Sequence, residues 1–224
     1  MRWHDAYDDP ASALSTRLAL VQAHLSVALA AAPDGPINVV SLCAGQGRDV
    51  IGVLTAHPRR DDVTALLVEL DTANAQTARE GAVAAAVTGV TVRVADAGIV
   101  ASYADALPAD VLLLCGIFGN LSDEDIERTV TAAADMTAAG GTVIWTRHRR
   151  PPDLTGQIRS WFAAAGFQEL AFDTPVTATM TGVGVHRRQL SAPTAAHDEA
   201  PLTDVARSPA DARLFTFRPR PPLA

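Results

Sequence analysis

An alternation of short apolar runs with helical stretches, beginning at Ile37 and lasting to Arg188, constrains the fold of this chain more than any other feature. Ile37 to Leu42 reads as a strand, Gly45-Gln46-Gly47 as the turn after it, and the residues on to His57-Pro58 as a helix. Ala65 to Leu70 reads as a second strand, Thr72 to Val87 as an Ala-rich helix, Val90 to Ala95 as a third strand and Asp110 to Cys115 as a fourth. Ser122-Asp123-Glu124-Asp125 has capping-box spacing and opens a helix expected to reach a Gly140-Gly141 turn, ahead of a strand from Thr142 to Thr146. Asp153 is placed to cap a further helix ending at Ala165-Gly166, and the last strands lie near Phe167 to Phe172 and Gly182 to Arg188. Strands separated by helices specify a mostly parallel, doubly wound α/β sheet with helices on both faces.

Four segments follow from this reading. Residues 1–36 form an N-terminal lid segment and helix; Asp9-Pro10 signals its start, and Leu14, Leu18, Val21, Leu25 and Leu29 mark one face of an amphipathic helix. Residues 37–190 form the α/β domain. Residues 191–212, rich in Ala, Pro, Asp and Thr without apolar period, read as a flexible loop. In residues 213–224, Leu214-Phe215-Thr216-Phe217 could return as an edge strand before a solvated tail.

The 224 residues suit one domain. With 18 basic and 25 acidic side chains, the net charge of -7 opposes broad attraction to nucleic acid, which requires a positive field. All the basic residues are Arg, so a catalytic lysine is excluded. The acidic start from Met1 to Pro10 lacks an apolar signal core, and the run from Val111 to Gly119 is too short for a membrane helix. A soluble, cytoplasmic protein is expected. Two cysteines are too few for a disulfide framework or a thiolate zinc site, and no ligand-spaced cluster suggests a metal.

In an open parallel sheet, ligands bind beyond the carboxyl ends of the strands. The first such end carries Cys43-Ala44-Gly45-Gln46-Gly47, where glycines let backbone approach a ligand. A dinucleotide fingerprint would need a further glycine where Val50 stands. Glu69 ends the second strand and could accept from both hydroxyls of a ribose; Asp96-Ala97 ends the third and could accept from the exocyclic amine of a base.

These three strand ends resemble those of class I S-adenosylmethionine-dependent methyltransferases, with matches from about Val39 to Arg188. The resemblance implies a Rossmann-like seven-stranded sheet with S-adenosyl-L-methionine as cofactor. It implies that Cys43, Ala44, Gly45 and Gly47 lie under the methionine and ribose, that Glu69 binds the ribose with Leu70 beside the adenine, and that Asp96 and Ala97 read the adenine amine. Cys115 and Gly116 would border the sulfonium, with Asn120 on the substrate side. Two positions depart from the family: its acidic residue within strand one is Ser41 here, and the first glycine of its turn is Cys43. Backbone carbonyls near Cys43 and Cys115 could take over the cofactor's ammonium group.

Methyl transfer is an in-line displacement from a sulfonium, so alignment and exclusion of water are the main requirements. Where a base is needed, His148 after the fifth strand is a candidate, with a surface-loop histidine as the plain alternative. His4, in a segment with Trp3 and Tyr7, could fold over the site as a lid, or the two aromatics could pack the first helix onto the sheet. Arg17 could reach the cofactor's carboxylate or lie on a solvated face. Arg147, with Arg149 and Arg150, would make a positive mouth suited to an anionic acceptor, and Cys43 and Cys115 could be a redox-sensitive pair or small buried residues. The expected function is methylation of a small-molecule acceptor on oxygen or nitrogen. The alternatives are a non-catalytic cofactor-binding protein, a methyltransferase acting on protein or RNA, and a nicotinamide oxidoreductase, which the missing glycine opposes. Edge strands after Gly182 could support a homodimer.

Overall fold

A computed structural model describes Tyr7 and residues 9–175, 180–190 and 213–218. Its strands are β1 (Ile37–Leu42), β2 (Val63–Glu69), β3 (Val90–Val94), β4 (Ala109–Leu114), β5 (Thr137–His148), β6 (Phe167–Asp173) and β7 (Thr181–Arg188). The helices are α1 (Ala13–Ala31), α2 (Arg48–Leu54), α3 (Thr72–Ala84), α4 (Asp123–Met136) and α5 (Thr155–Ala164). The strands form one sheet in the order β3-β2-β1-β4-β5-β7-β6. All neighbours are parallel except β7, which runs antiparallel to both β5 and β6. Strand order reverses between β1 and β4, and that is where a crevice opens at the carboxyl ends.

Both faces of the sheet are covered, which is why the central strands are apolar at almost every position. Val39, Leu67, Leu113 and Ile144 pack against α1, α2 and α3, while Val40, Val68, Leu112 and Trp145 pack against α4 and α5. Val21, Leu25 and Leu29 carry α1 into the first layer, each burial contributing on the order of 2 kcal/mol. The helix starts after Ser12, whose Oγ accepts from the Ser15 amide at 3.0 Å. The expected amphipathic contrast is weak, because Ala19, Ala23 and Val27 make the outward face apolar too. By length and composition α1 could cross a membrane; in this structure it packs on α2 and the sheet, and His24 pairs with Asp173 of β6 at 2.5 Å.

Three further expectations are corrected. The fourth helix ends at Met136, and Gly140-Gly141 lies inside β5, at the register irregularity opposite Ala109 and Val111, not in a turn. A Cβ on Gly141 would stand 2.9 Å from the Ala138 carbonyl and 3.0 Å from that of Asp110, so the pair lets β5 pass its neighbour closely. β7, expected as an exposed edge, is enclosed by β5 and β6; the edges are β3 and β6. Leu214 to Phe217 form no strand. Arg213 makes an isolated antiparallel bridge to Ile99, and Leu214 and Phe215 are buried in the α4 and α5 layer. Residues 191–212, expected as a loop, lie outside the described residues.

Candidate functional site

A cavity of about 540 Å³ opens where β1, β2 and β4 end. Its floor is the turn after β1, in which Cys43, Gly45 and Gly47 all have left-handed φ, +53°, +57° and +66°. Glycines adopt that conformation freely; Cys43 does so at a cost of about 1 kcal/mol. Gly47 is buried, and a Cβ there would meet Leu67 at 2.7 Å and Ile51 at 2.9 Å. Its role is thus to let α2 lie close against β2, and it does not border the cavity.

Glu69 closes β2 with its side chain turned into this turn. It is buried, one carboxylate oxygen accepting from the Gly45 amide at 2.7 Å and the other from the Asp71 amide at 2.8 Å. On the β4 side, the Gly116 amide donates to Thr146 Oγ1 at 2.8 Å, and Asn120 Nδ2 donates to the Gly116 carbonyl at 3.1 Å. From the N-terminal side, Arg17 Nη2 donates to the Tyr7 hydroxyl at 2.6 Å, and the Arg48 guanidinium lies 5.4 Å from the centre of the Tyr7 ring. Asp49, in the first turn of α2, is buried on the same wall, and burial holds its carboxyl above the usual carboxylate value.

Both cysteines border the cavity as free thiols. Burial, with Glu69 and Asp96 adding to it, pushes Cys43 up to about 12; burial and Asp49 push Cys115 up as well. Protonated thiols are poor nucleophiles.

Of the residues singled out from sequence, Tyr7, Arg17, Cys43, Ala44, Gly45, Glu69, Cys115, Gly116 and Asn120 meet around this space. Others do not. Leu70 is 63% exposed beyond β2, and Ala97 is buried in the core. Asp96 accepts from the Gly98 amide at 2.8 Å and pairs with Arg213 of the C-terminal segment at 2.9 Å, and it does not border the cavity. Arg147 is no part of a positive mouth: it is buried and donates to the Phe118 carbonyl, and Arg149 pairs with Asp153 at 3.0 Å. His148 stands beside Gly119 and not on the cavity wall. Burial, then Arg147 and Arg150, lower its pKa, keeping the imidazole neutral at pH 7. Trp3 and His4 lie outside the described residues.

The structure adds residues that the sequence reading passed over. Asp49 had a signal, a charged residue directly before the apolar Val50 and Ile51 of the helix. Phe217 and Arg218 had none; they border the cavity because the Arg218 amide donates to the Asn120 carbonyl at 2.8 Å. Among the described residues, no group of three His, Cys, Asp or Glu side chains is arranged to hold a metal.

No protein-family model and no curated protein matches the sequence. Solved structures do match. An O-methyltransferase family protein from Burkholderia thailandensis superposes with a TM-score of 0.64 at 17% identity, over 83% of this chain and 59% of that one. Magnesium protoporphyrin IX methyltransferase from Synechocystis PCC 6803, solved with bound S-adenosylmethionine, gives 0.62 at 12% identity, over 77% of this chain and 80% of that one. The fold is that of the S-adenosylmethionine-dependent methyltransferases. A TehB-like methyltransferase from Corynebacterium glutamicum shares it, with a TM-score of 0.53 at 15% identity over 73% and 86% of the two chains. The chain spans 59% of the Burkholderia protein and 54% of a carbon methyltransferase that also matches. Within the methyltransferase fold, the glycine turn, Glu69 and the β4 end converge on one cavity.

Proposed function

We propose that this chain transfers the methyl group of S-adenosylmethionine to an oxygen or nitrogen of a small-molecule acceptor. The observation that carries the reading is the Glu69 carboxylate, braced by two backbone amides beside the Gly45 turn and bordering a cavity of about 540 Å³. An ionised carboxylate has about four acceptor sites, so two remain for the hydroxyls of a ribose. The volume falls in the range of small-molecule sites. Arg17 supplies a cation for the carboxylate of the cofactor's amino-acid part. When bound, the cofactor supplies an electrophilic methyl with a neutral thioether as leaving group.

The chain's own part is to orient and to keep water out. Gly116 and Asn120 fix the end of β4, and Tyr7, Phe217 and the thiols of Cys43 and Cys115 give the cavity apolar walls. Arg218, exposed at its edge, favours an acceptor that carries a carboxylate. We place the activity in the cytoplasm, where free thiols persist. A second reading, cofactor binding without transfer, is favoured by one observation: among the described residues no histidine borders the cavity.

The test is a thermal melt with S-adenosylhomocysteine. At a hundredfold excess over Kd it should stabilise by about 2.7 kcal/mol, raising Tm by roughly 5–10 °C for a chain of this size. NAD should leave Tm unchanged. No shift with S-adenosylhomocysteine overturns both readings. A shift together with no transfer of labelled methyl across a panel of hydroxyl, amine and carboxylate acceptors selects the second.

A further inference from the structure

Ser41, the β1 residue at which the family resemblance implies a carboxylate, is 1% exposed within the sheet and does not border the cavity. A buried carboxylate stands at this end nonetheless. Asp49, the second residue of α2, is 9% exposed and borders the space with Tyr7, Arg17 and Cys115. The chain takes a charged residue inside next to Val50 and Ile51, which is costly unless a partner compensates. The Asp49 carboxylate accepts from the Val50 amide at 2.8 Å. Among the described residues, no side chain donates to it and no ion pair reaches it.

Arg17 is the complementary case. It donates to the Tyr7 hydroxyl and makes no ion pair among the described residues. Arg17 and Asp49 border the same cavity with Cys115 and no ion pair joins them, so cation and anion share one stretch of wall without closing on each other. Two opposite charges held apart in this way complement a zwitterion. Backbone carbonyls beside Cys43 and Cys115 would offer only partial charges to the same ammonium group.

We propose that Asp49 holds the α-ammonium group of the cofactor's amino-acid end while Arg17 holds its carboxylate, so that the first turn of α2 takes the place of the β1 carboxylate missing at Ser41. The proposal rests on the S-adenosylmethionine reading above. An arriving ammonium would give the buried carboxylate a charged partner that none of the described residues supplies.

Calorimetric titration of the wild type and Asp49→Asn with two probes tests it: S-adenosylhomocysteine, and 5′-methylthioadenosine, which lacks the amino-acid end. Asp49→Asn should weaken S-adenosylhomocysteine about ten- to hundredfold, the worth of a hydrogen bond between charged groups, and leave 5′-methylthioadenosine within about twofold. Equal weakening of both probes would assign Asp49 to the shape of the cavity and overturn the proposal, as would unchanged S-adenosylhomocysteine binding. If the wild type binds neither probe, the cofactor reading itself falls, and the proposal with it. Should the variant not fold, the wild type alone decides: S-adenosylhomocysteine lacking its amino group should bind about tenfold or more weakly, and equal affinity overturns the proposal.

Discussion

The β5-β7-β6 side of the sheet and the β1-β2 side both bury ionisable groups, and they treat them in opposite ways. On the first side, His186 is 1% exposed and stacks on Phe162 with ring centroids 4.5 Å apart, while Trp145 Nε1 donates to its Nδ1 at 3.2 Å. Aromatic rings pack around it, the Glu169 carboxylate lies 3.6 Å from its Nε2, and burial outweighs that charge and drives the imidazole to its neutral form. On the second side, Asp49, Glu69 and Arg17 face a cavity. Burial acts on both sides, but only the second leaves acceptors and donors with room in front of them. A buried ionisable group therefore points to ligand binding only where it borders space; His186, as buried as any, is packing.

The largest effect that would sharpen this contrast belongs to the closed side. A Cβ on Gly184 would lie 2.3 Å from the Trp145 ring, which Phe162 and Phe172 stack against at 6.0 and 5.9 Å and so hold in place. Gly184→Ala should cost about 3 kcal/mol in urea denaturation. Affinity of the folded fraction for S-adenosylhomocysteine should not change; a weakened site would show that the two sides are not independent.

Acidification should separate them by sign. His186 has a folded pKa lowered to about 4 against an ordinary 6.5, so between these values the unfolded state binds the extra proton. Stability conferred by the neutral imidazole should thus fall by about 3 kcal/mol as pH drops through that window. Asp49 works the other way: its raised pKa makes stability fall as pH rises through the range above its ordinary 3.8. Urea midpoints from pH 7 to pH 4, repeated with Asp49→Asn, should show the His186 loss with less offset in the variant. An imidazole resonance of His186 titrating near 6.5 would break the account of the closed side.

The open side should answer to Glu69→Gln. Removing the charge weakens hydrogen bonds worth about 2 kcal/mol, so S-adenosylhomocysteine binding should loosen at least tenfold by calorimetry. Unchanged affinity would remove Glu69 from the site. The smallest effect is expected at Arg213→Ala, because both partners of the Arg213 and Asp96 pair are partly exposed. A loss below about 1 kcal/mol in the same denaturation assay is expected.

Most of the sheet was legible because apolar runs, glycine turns and helix caps agree along the chain. Ser122 caps α4, and Glu69 could be picked out as an acidic residue at a strand end. Two kinds of feature were not. Alternation cannot tell inside from outside where a strand is covered on both faces, and so Arg147, at the end of β5, read as a mouth residue while its side chain turns inward to the Phe118 carbonyl. Long-range placement has no local signature either. Phe217 reaches the cavity only through contacts its neighbours make to Gly98, Asn120 and Asp125, about a hundred residues earlier. Gly140-Gly141 shows that even a local signal can be ambiguous, since a glycine pair serves a close strand crossing as readily as a turn.

Glu69 has one more consequence. Its carboxylate ties the Gly45 and Asp71 amides together through hydrogen bonds internal to the chain. The turn's freedom is thereby given up during folding, and little ordering of this segment remains for the binding event. Association at this end of the cavity should then proceed in a single kinetic phase, its observed rate rising linearly with ligand concentration and showing no plateau from a loop that must first rearrange.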